Sequence, residues 1–292
     1  MRAAADAAYK RRVDLVNAGL ESVLPPATTE PRRLHEAMRH GVFGGGGGKR
    51  LRPVLLLTLA SDLGVAEEMA LPPAMALEMI HCYSLVHDDL PCMDNAATRR
   101  DAPSVHSAYG YAEAVLAGDA LLTLGFELLG RAANSGLKRP GDLTVELAVA
   151  AGSLGMVGGQ QADLEPTGET AARLAGQEPP ALRVHRMKTA KLYGFAFAAP
   201  GYLAAAKGVD ISVLRQAGID FGLAFQVADD IRDAATDDRA PNYARDVGTA
   251  KAREVALGHI RRCLDGLASI LAGTDRPETA DLISGAVREM GL

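Results

Sequence analysis

The chain has 292 residues, 48% apolar and 23% charged. That is the composition of a globular protein with a large core and not of a disordered chain. The net charge is 31 − 36 = −5, which leaves no basic surplus for neutralising nucleic-acid phosphates. The three cysteines, Cys82, Cys92 and Cys263, have neither disulfide-framework nor zinc spacing and fit a reducing cytoplasm.

The first residues carry Arg2, Lys10, Arg11 and Arg12 with no apolar run behind them, unlike a secretory signal. Further on the pattern is helical. Val115, Ala117, Leu121, Leu122, Leu124 and Leu128 recur at helical spacing, as do Leu214, Ala217, Phe221, Ala224, Phe225 and Ala228. Alanine and leucine dominate, and no alternating strand pattern of useful length occurs. Breaks fall at Pro25-Pro26, the glycine run 44–48, Pro72-Pro73, Pro103, 136–141, 166–168, Pro179-Pro180, Gly208, 237–241 and 273–277. None is a domain linker. The apolar stretches 54–60 and 195–199 are too short to cross a bilayer. These features predict one all-α domain over residues 1–292, a single large bundle of about ten or more helices.

The glycine run invites a phosphate-loop reading, but Phe43 and Arg50 stand where that motif needs glycine and serine or threonine. The cations just beyond the run are more informative. Lys49 and Arg52 are three apart, so in a helical turn they project together, and two cations at a helix entrance suit an anion. Two acidic clusters interrupt apolar helices: His81 to Asp94, with Asp88 and Asp89, and Phe225 to Asp233, with Asp229 and Asp230. Carboxylates in such settings are costly unless paired or metal-bound. Asp229 and Asp233 share a helix face with Gln226 and Gly222, and His81, Ser84 and Asp88 align in the same way. All-oxygen sites suit magnesium bridging to substrate phosphates, and Arg99-Arg100 lie shortly after the first cluster. The pattern points to a magnesium-dependent diphosphate site. Cys82, Cys92, His87 and His106 read as structural, and the nine methionines as gap-fillers.

The run Gly47-Gly48-Lys49-Arg50-Leu51-Arg52-Pro53 resembles the trans-prenyl diphosphate synthases. So do residues 81–100, Gly158-Gly159-Gln160-Gln161-Ala162-Asp163-Leu164, Lys188-Thr189 and the second aspartate cluster, in order and spacing. The likeness covers roughly residues 34–233 and points to the farnesyl and geranylgeranyl diphosphate synthase branch. It implies an all-helical isoprenoid-synthase fold around a central cavity, cytoplasmic and homodimeric. By the same resemblance Asp88, Asp94, Asp229 and Asp233 ligate magnesium, three ions with bound diphosphate. Arg99, Lys188, Thr189 and Gln226 match the allylic diphosphate site. Gly48, Lys49, Arg52, His81 and Arg100 match the isopentenyl diphosphate site. Asp88, Asp94, Asp229, Arg99 and Lys188 are then the residues closest to the chemistry. Tyr83 and Ser84 match the cavity floor that limits chain length. A tyrosine there resembles farnesyl (C15) synthases, while the Arg232 form of the second motif and Arg239-Ala240-Pro241-Asn242 keep the C20 branch open.

Three departures from the family pattern stand out. Asn95-Ala96-Ala97 replaces further acidic residues after Asp94. The loop after Asp233 is short and lacks a lysine, for which Arg239 is the candidate substitute. The end, Val287 to Leu292, lacks a basic tail. They motivate an alternative, a weakly active or regulatory subunit of a heteromeric synthase. A terpene cyclase is the third reading. Asp229, Asp233 and Asp237 have a cyclase's spacing but not its residue types, and the chain's 13 aromatics (6 Phe, 7 Tyr) and absent tryptophan argue against it.

Overall fold

The computed structural model describes residues 2–165, 178–204, 208–234, 242–274 and 277–292. Arg239, Asp237 and the breaks at 166–168 and 237–241 therefore lie outside the described residues. The all-α expectation holds: helix is the dominant element, and the one sheet among the described residues is a hairpin of two residues a side, Thr98–Arg99 with Ala102–Pro103.

The chain divides into two compact units, one of residues 1–57 and 67–140, the other of residues 58–66 and 141–292. In the first, Glu67–Asp88 packs along Tyr111–Asn134. Its apolar side is Ala74, Leu77, Ile80 and Tyr83, and Leu121 and Leu128 are buried on the facing helix. Pro72 and Pro73 do not break this helix, contrary to the sequence expectation. The two missing amide donors fall near its N-terminal end, where Glu68 is exposed, and the buried run behind them carries the helix on. Among the described residues this is also the one helix long and apolar enough to cross a membrane, but 67% of that window is buried inside the protein. It is the axis of a core.

In the second unit the central element is Ile211–Asp233. Its start is fixed by Asp210, whose side chain accepts from the amides of Ser212 (2.8 Å) and Val213 (3.3 Å). Against one side lies Lys191–Leu203 and against another Thr249–Ile270. Tyr193, Phe197, Phe221 and Phe225, four of the chain's few aromatics, cluster there, with Tyr193 and Phe221 edge-on at 5.1 Å. Asp62 caps a helix far away in sequence: its carboxylate accepts from the amides of Glu278 and Thr279, both at 2.9 Å.

Candidate active site

In the first unit the glycine run forms one tight 3-10 turn, Gly44–Gly47, ahead of the helix Leu51–Asp62. Residues 45–48 are all at positive φ. Contact adds a second demand. A Cβ on Gly45 would stand 2.0 Å from the Arg100 carbonyl oxygen, and one on Gly48 would stand 2.5 Å from the Arg100 guanidinium. Arg100 thus lies across Gly45 and Gly48, Arg50 fills the space at Gly47, and nothing stands close to Gly46. Arg100 and Asp101 are the two central residues of the hairpin turn, both at positive φ, as a type I′ turn requires.

Lys49 and Arg52 do not share a helical turn. The helix starts at Leu51, and Arg50 between them is left-handed, with φ 53°. The reason is the Arg50 side chain, which is turned into the core. It donates to Glu78 (2.7 Å), the Val42 carbonyl (2.7 Å) and Asn17 (2.9 Å), and lies over the Phe43 ring. Neither Arg50 nor Glu78 was singled out from the sequence. A lone glutamate inside the apolar run 74–80 was the available signal.

Arg52 Nη1 is 3.4 Å from His81 Nε2, and the Ser84 hydroxyl donates to the His81 carbonyl at 2.7 Å. Burial holds the His81 imidazole well below its ordinary pKa, and the charges of Arg52, Arg100, Arg50 and Arg99 lower it further. Of these guanidiniums Arg50 is paired with Glu78 and Arg99 with Asp89. The unfolded chain takes up the His81 proton at about pH 6.5, whereas the folded protein does not. Stability therefore falls as pH drops below about 6.5. His81→Gln should flatten the dependence of melting temperature on pH below that point, and an unchanged slope would remove His81 as its cause.

The first aspartate cluster closes as a loop at the end of its helix. The Asp94 amide donates to the Asp88 carbonyl at 2.9 Å, so the two carboxylate-bearing residues are tied by their backbones. Asp89, unassigned from the sequence, is buried and takes the Arg99 guanidinium on both oxygens, with Nε 3.0 Å from Oδ1. Arg99 is thus oriented by the residue beside Asp88. His87 and His106 are held by backbone carbonyls, those of Val115 (3.0 Å) and Ala96 (2.9 Å). Cys82 is buried, its thiol pushed up to about 12 by burial and the Glu78 charge, while Cys92 is exposed beside the Tyr111 hydroxyl.

In the second unit the segment Arg186–Ala190 is a π-helical turn, a distortion frequent at functional sites. It carries Lys188 and Thr189. Lys188 Nζ reaches Asp163 at 2.6 Å, and the Thr189 hydroxyl donates to Gln226 Oε1 at 2.9 Å. Asp163 ends the helix Met156–Asp163, whose Gly159 lies so close that a Cβ would stand 2.2 Å from the Lys188 amide nitrogen. Gly159 and Asp163 of that motif thus meet the same lysine. On Ile211–Asp233, Asp229 Oδ1 is buried without a hydrogen bond, and its counter-charge is Arg232, one turn on. Asp230 turns the other way, into a buried set with His185, Asn242 and Tyr243.

The donor chemistry fits magnesium. Asp88, Asp94, Asp229 and Asp233 offer oxygens only, the donor set that a hard divalent cation takes. Among the described residues no three His, Cys, Asp or Glu side chains converge on one point.

Comparison with known proteins gives the family. A family model described as polyprenyl synthetase matches residues 31–263. The farnesyl diphosphate synthase of Bacillus subtilis (strain 168) is 44% identical over 205 residues, 70% of this chain and 67% of that protein. The heterodimeric geranylgeranyl pyrophosphate synthase large subunit 1 of Arabidopsis thaliana is 36% identical over 289 residues, 94% of this chain and 75% of that protein. Among solved structures, an FPP/GFPP synthase from Zymomonas mobilis superposes with a TM-score of 0.82 at 34% identity, covering 97% of each chain. The extent of the family match, together with the helical fold shared with that solved structure, places the chain in the polyprenyl synthetase family, a family of prenyltransferases.

Proposed function

We propose that the protein joins isopentenyl diphosphate head-to-tail (1′–4) to dimethylallyl or geranyl diphosphate and releases a short trans-prenyl diphosphate. Farnesyl diphosphate (C15) is the first expectation and geranylgeranyl diphosphate (C20) the second. The observation that carries this reading is the pair of differently charged places in one chain: the arginine-rich surroundings of neutral His81, and the carboxylates Asp88, Asp94, Asp229 and Asp233.

Magnesium, three ions with bound diphosphate by family resemblance, supplies Lewis-acid stabilisation of the departing diphosphate. Asp88, Asp94, Asp229 and Asp233 would hold it. Arg99, Lys188, Thr189 and Gln226 orient the allylic diphosphate and take up negative charge as its carbon–oxygen bond breaks. Gly48, Lys49, Arg52, His81 and Arg100 hold isopentenyl diphosphate so that its double bond faces the allylic carbon. An apolar cavity, as the family resemblance implies, would exclude water from the allylic cation. A proton then leaves the new chain, taken by the departed diphosphate.

Tyr83 supports the shorter product. It is buried, with its ring edge-on to His87 at 5.8 Å, and burial pushes its hydroxyl up to about 12. Tyr83→Ala should shift the product toward longer chains, read by chromatography of the dephosphorylated products; an unchanged profile removes Tyr83 from the floor.

A cytoplasmic homodimer completes the reading. Val145 and Val149, one turn apart and both exposed on Pro140–Ala151, support a protein contact there. The heterodimer named for the Arabidopsis relative supports the alternative of a subunit that needs a partner. One experiment decides among these. The purified protein is incubated with magnesium, isopentenyl diphosphate and an allylic diphosphate, and its products are identified. Elongated prenyl diphosphates support the proposal, and no turnover without a second chain supports the alternative. A hydrocarbon formed from farnesyl or geranylgeranyl diphosphate alone would make it a cyclase.

A further inference from the structure

The second aspartate motif contains a carboxylate that points away from the others. Asp230 is 5% exposed, and its Oδ2 receives two groups: His185 Nε2 at 2.7 Å and the Tyr243 amide at 2.7 Å. Asn242 Nδ2 donates to the Asp230 carbonyl at 3.0 Å, while its own Oδ1 caps the next short helix through the Arg245 amide. Three separate segments therefore meet at Asp230: the end of the helix Pro180–His185 that runs into the π-helical turn, the motif helix, and the chain returning at residue 242.

The placement is regular. His185 and Thr189 are four apart on one element, Asp230 and Gln226 four apart on the other, and they pair as two rungs, His185–Asp230 and Thr189–Gln226. Below the rungs the same face of Ile211–Asp233 carries Gly222 and Gly218. A Cβ on Gly222 would stand 2.6 Å from Ala190 Cα, and one on Gly218 2.4 Å from the Tyr193 carbonyl oxygen. The two elements thus touch backbone to backbone at one end and are spaced by polar rungs at the other, where Lys188 and Asp229 stand. A buried carboxylate is retained at such a place only with its partners complete, and here the partners are His185 and the returning chain.

We propose that His185 is a positioning residue: through Asp230 it fixes the chain returning at Asn242–Tyr243 against the turn that carries Lys188 and Thr189, and so sets the allylic end of the site. Asp230 is then a structural anchor inside a metal motif and not a ligand. The part concerning the allylic end rests on the function proposed above; the anchor itself does not.

The test uses His185→Asn and Asp230→Asn in the full chain, with Asp229→Asn as the comparison for a ligand. Three quantities are measured: KM for each of the two substrates, the magnesium concentration giving half-maximal rate, and amide exchange of the Tyr243 segment in the metal-free protein. Both variants should raise KM for the allylic substrate about tenfold or more, since small misplacements are costly in such sites. KM for isopentenyl diphosphate should stay within about twofold, well inside the factor of ten that one 1.4 kcal/mol step represents. Exchange at Tyr243 should quicken, and magnesium half-saturation should move only in Asp229→Asn. Equal rises in both KM values would overturn the positioning role. A magnesium shift in Asp230→Asn matching that of Asp229→Asn would overturn the anchor assignment, as would unchanged exchange at Tyr243. If His185→Asn fails to fold, Asn242→Asp keeps an acceptor for the Arg245 amide and replaces the donor to the Asp230 carbonyl with a charged acceptor, and the same results are expected of it. A wild-type protein that elongates nothing sinks the proposed function, while the exchange measurement still decides the anchor.

Discussion

Asp229→Ala should lower kcat by about 10²–10³-fold, the loss typical when one group stabilising transition-state charge is removed, and leave the fold intact. The second half of that statement comes from the surroundings. Asp229 has Arg232 as its counter-charge one turn away, and that guanidinium is 52% exposed, so water can replace the lost carboxylate. Exposed pairs of this kind contribute only about 0–1 kcal/mol. A melting temperature near that of the wild type with a collapsed rate is the signature expected, and Asp88→Ala should behave alike. Steady-state rates at saturating substrates, repeated across a magnesium titration, check it. Near-normal turnover in either variant would end the metal assignment.

The second large effect is on stability. Glu78→Ala should destabilise the protein by about 3–5 kcal/mol, because it leaves a fully buried guanidinium without its counter-charge. Arg50 is 0% and Glu78 2% exposed at the side chain, at a separation of 2.7 Å. Against a total of about 5–15 kcal/mol, that change is severe. Arg50→Met combined with Glu78→Leu should restore much of the loss, since a buried pair can be replaced by apolar residues at little net cost. It should not restore isopentenyl diphosphate binding. Arg50 also holds the Val42 carbonyl and Asn17 and fills the space over Gly47, so the loop presenting Lys49 loses its anchor. Denaturant midpoints and KM for isopentenyl diphosphate, measured on the single and double variants, separate the two effects. A double variant with normal KM would show that Arg50 contributes stability alone.

Much of this architecture could be read from residue order. Periodicity located the long helices, because a face that must be buried repeats whatever it packs against. The aspartate clusters were visible because carboxylates inside apolar helices contradict their surroundings. Pairings over long separations were not visible. Arg50 with Glu78, and His185 with Asp230, lie 28 and 45 residues apart, and no local spacing links them. The same limit misplaced Lys49 and Arg52 on one turn: the left-handed Arg50 between them answers to a glutamate on another helix. Pro72-Pro73 misled for a different reason, since a proline's local preference gives way where tertiary packing holds the helix on either side.

The glycine seam on Ile211–Asp233 has a mechanical consequence. Where Gly218 and Gly222 meet Ala190, Tyr193 and Gly194, the contact is largely main chain on main chain. Such a junction has few rotamers to redistribute, so it cannot yield gradually. A force applied at Lys188 or Asp229 is carried along the joined helices as by a stiff beam, and adjustment is left to the polar end. Heating or ligand binding should therefore move this helix pair as a unit, with its internal spacing the last thing in this half of the molecule to change.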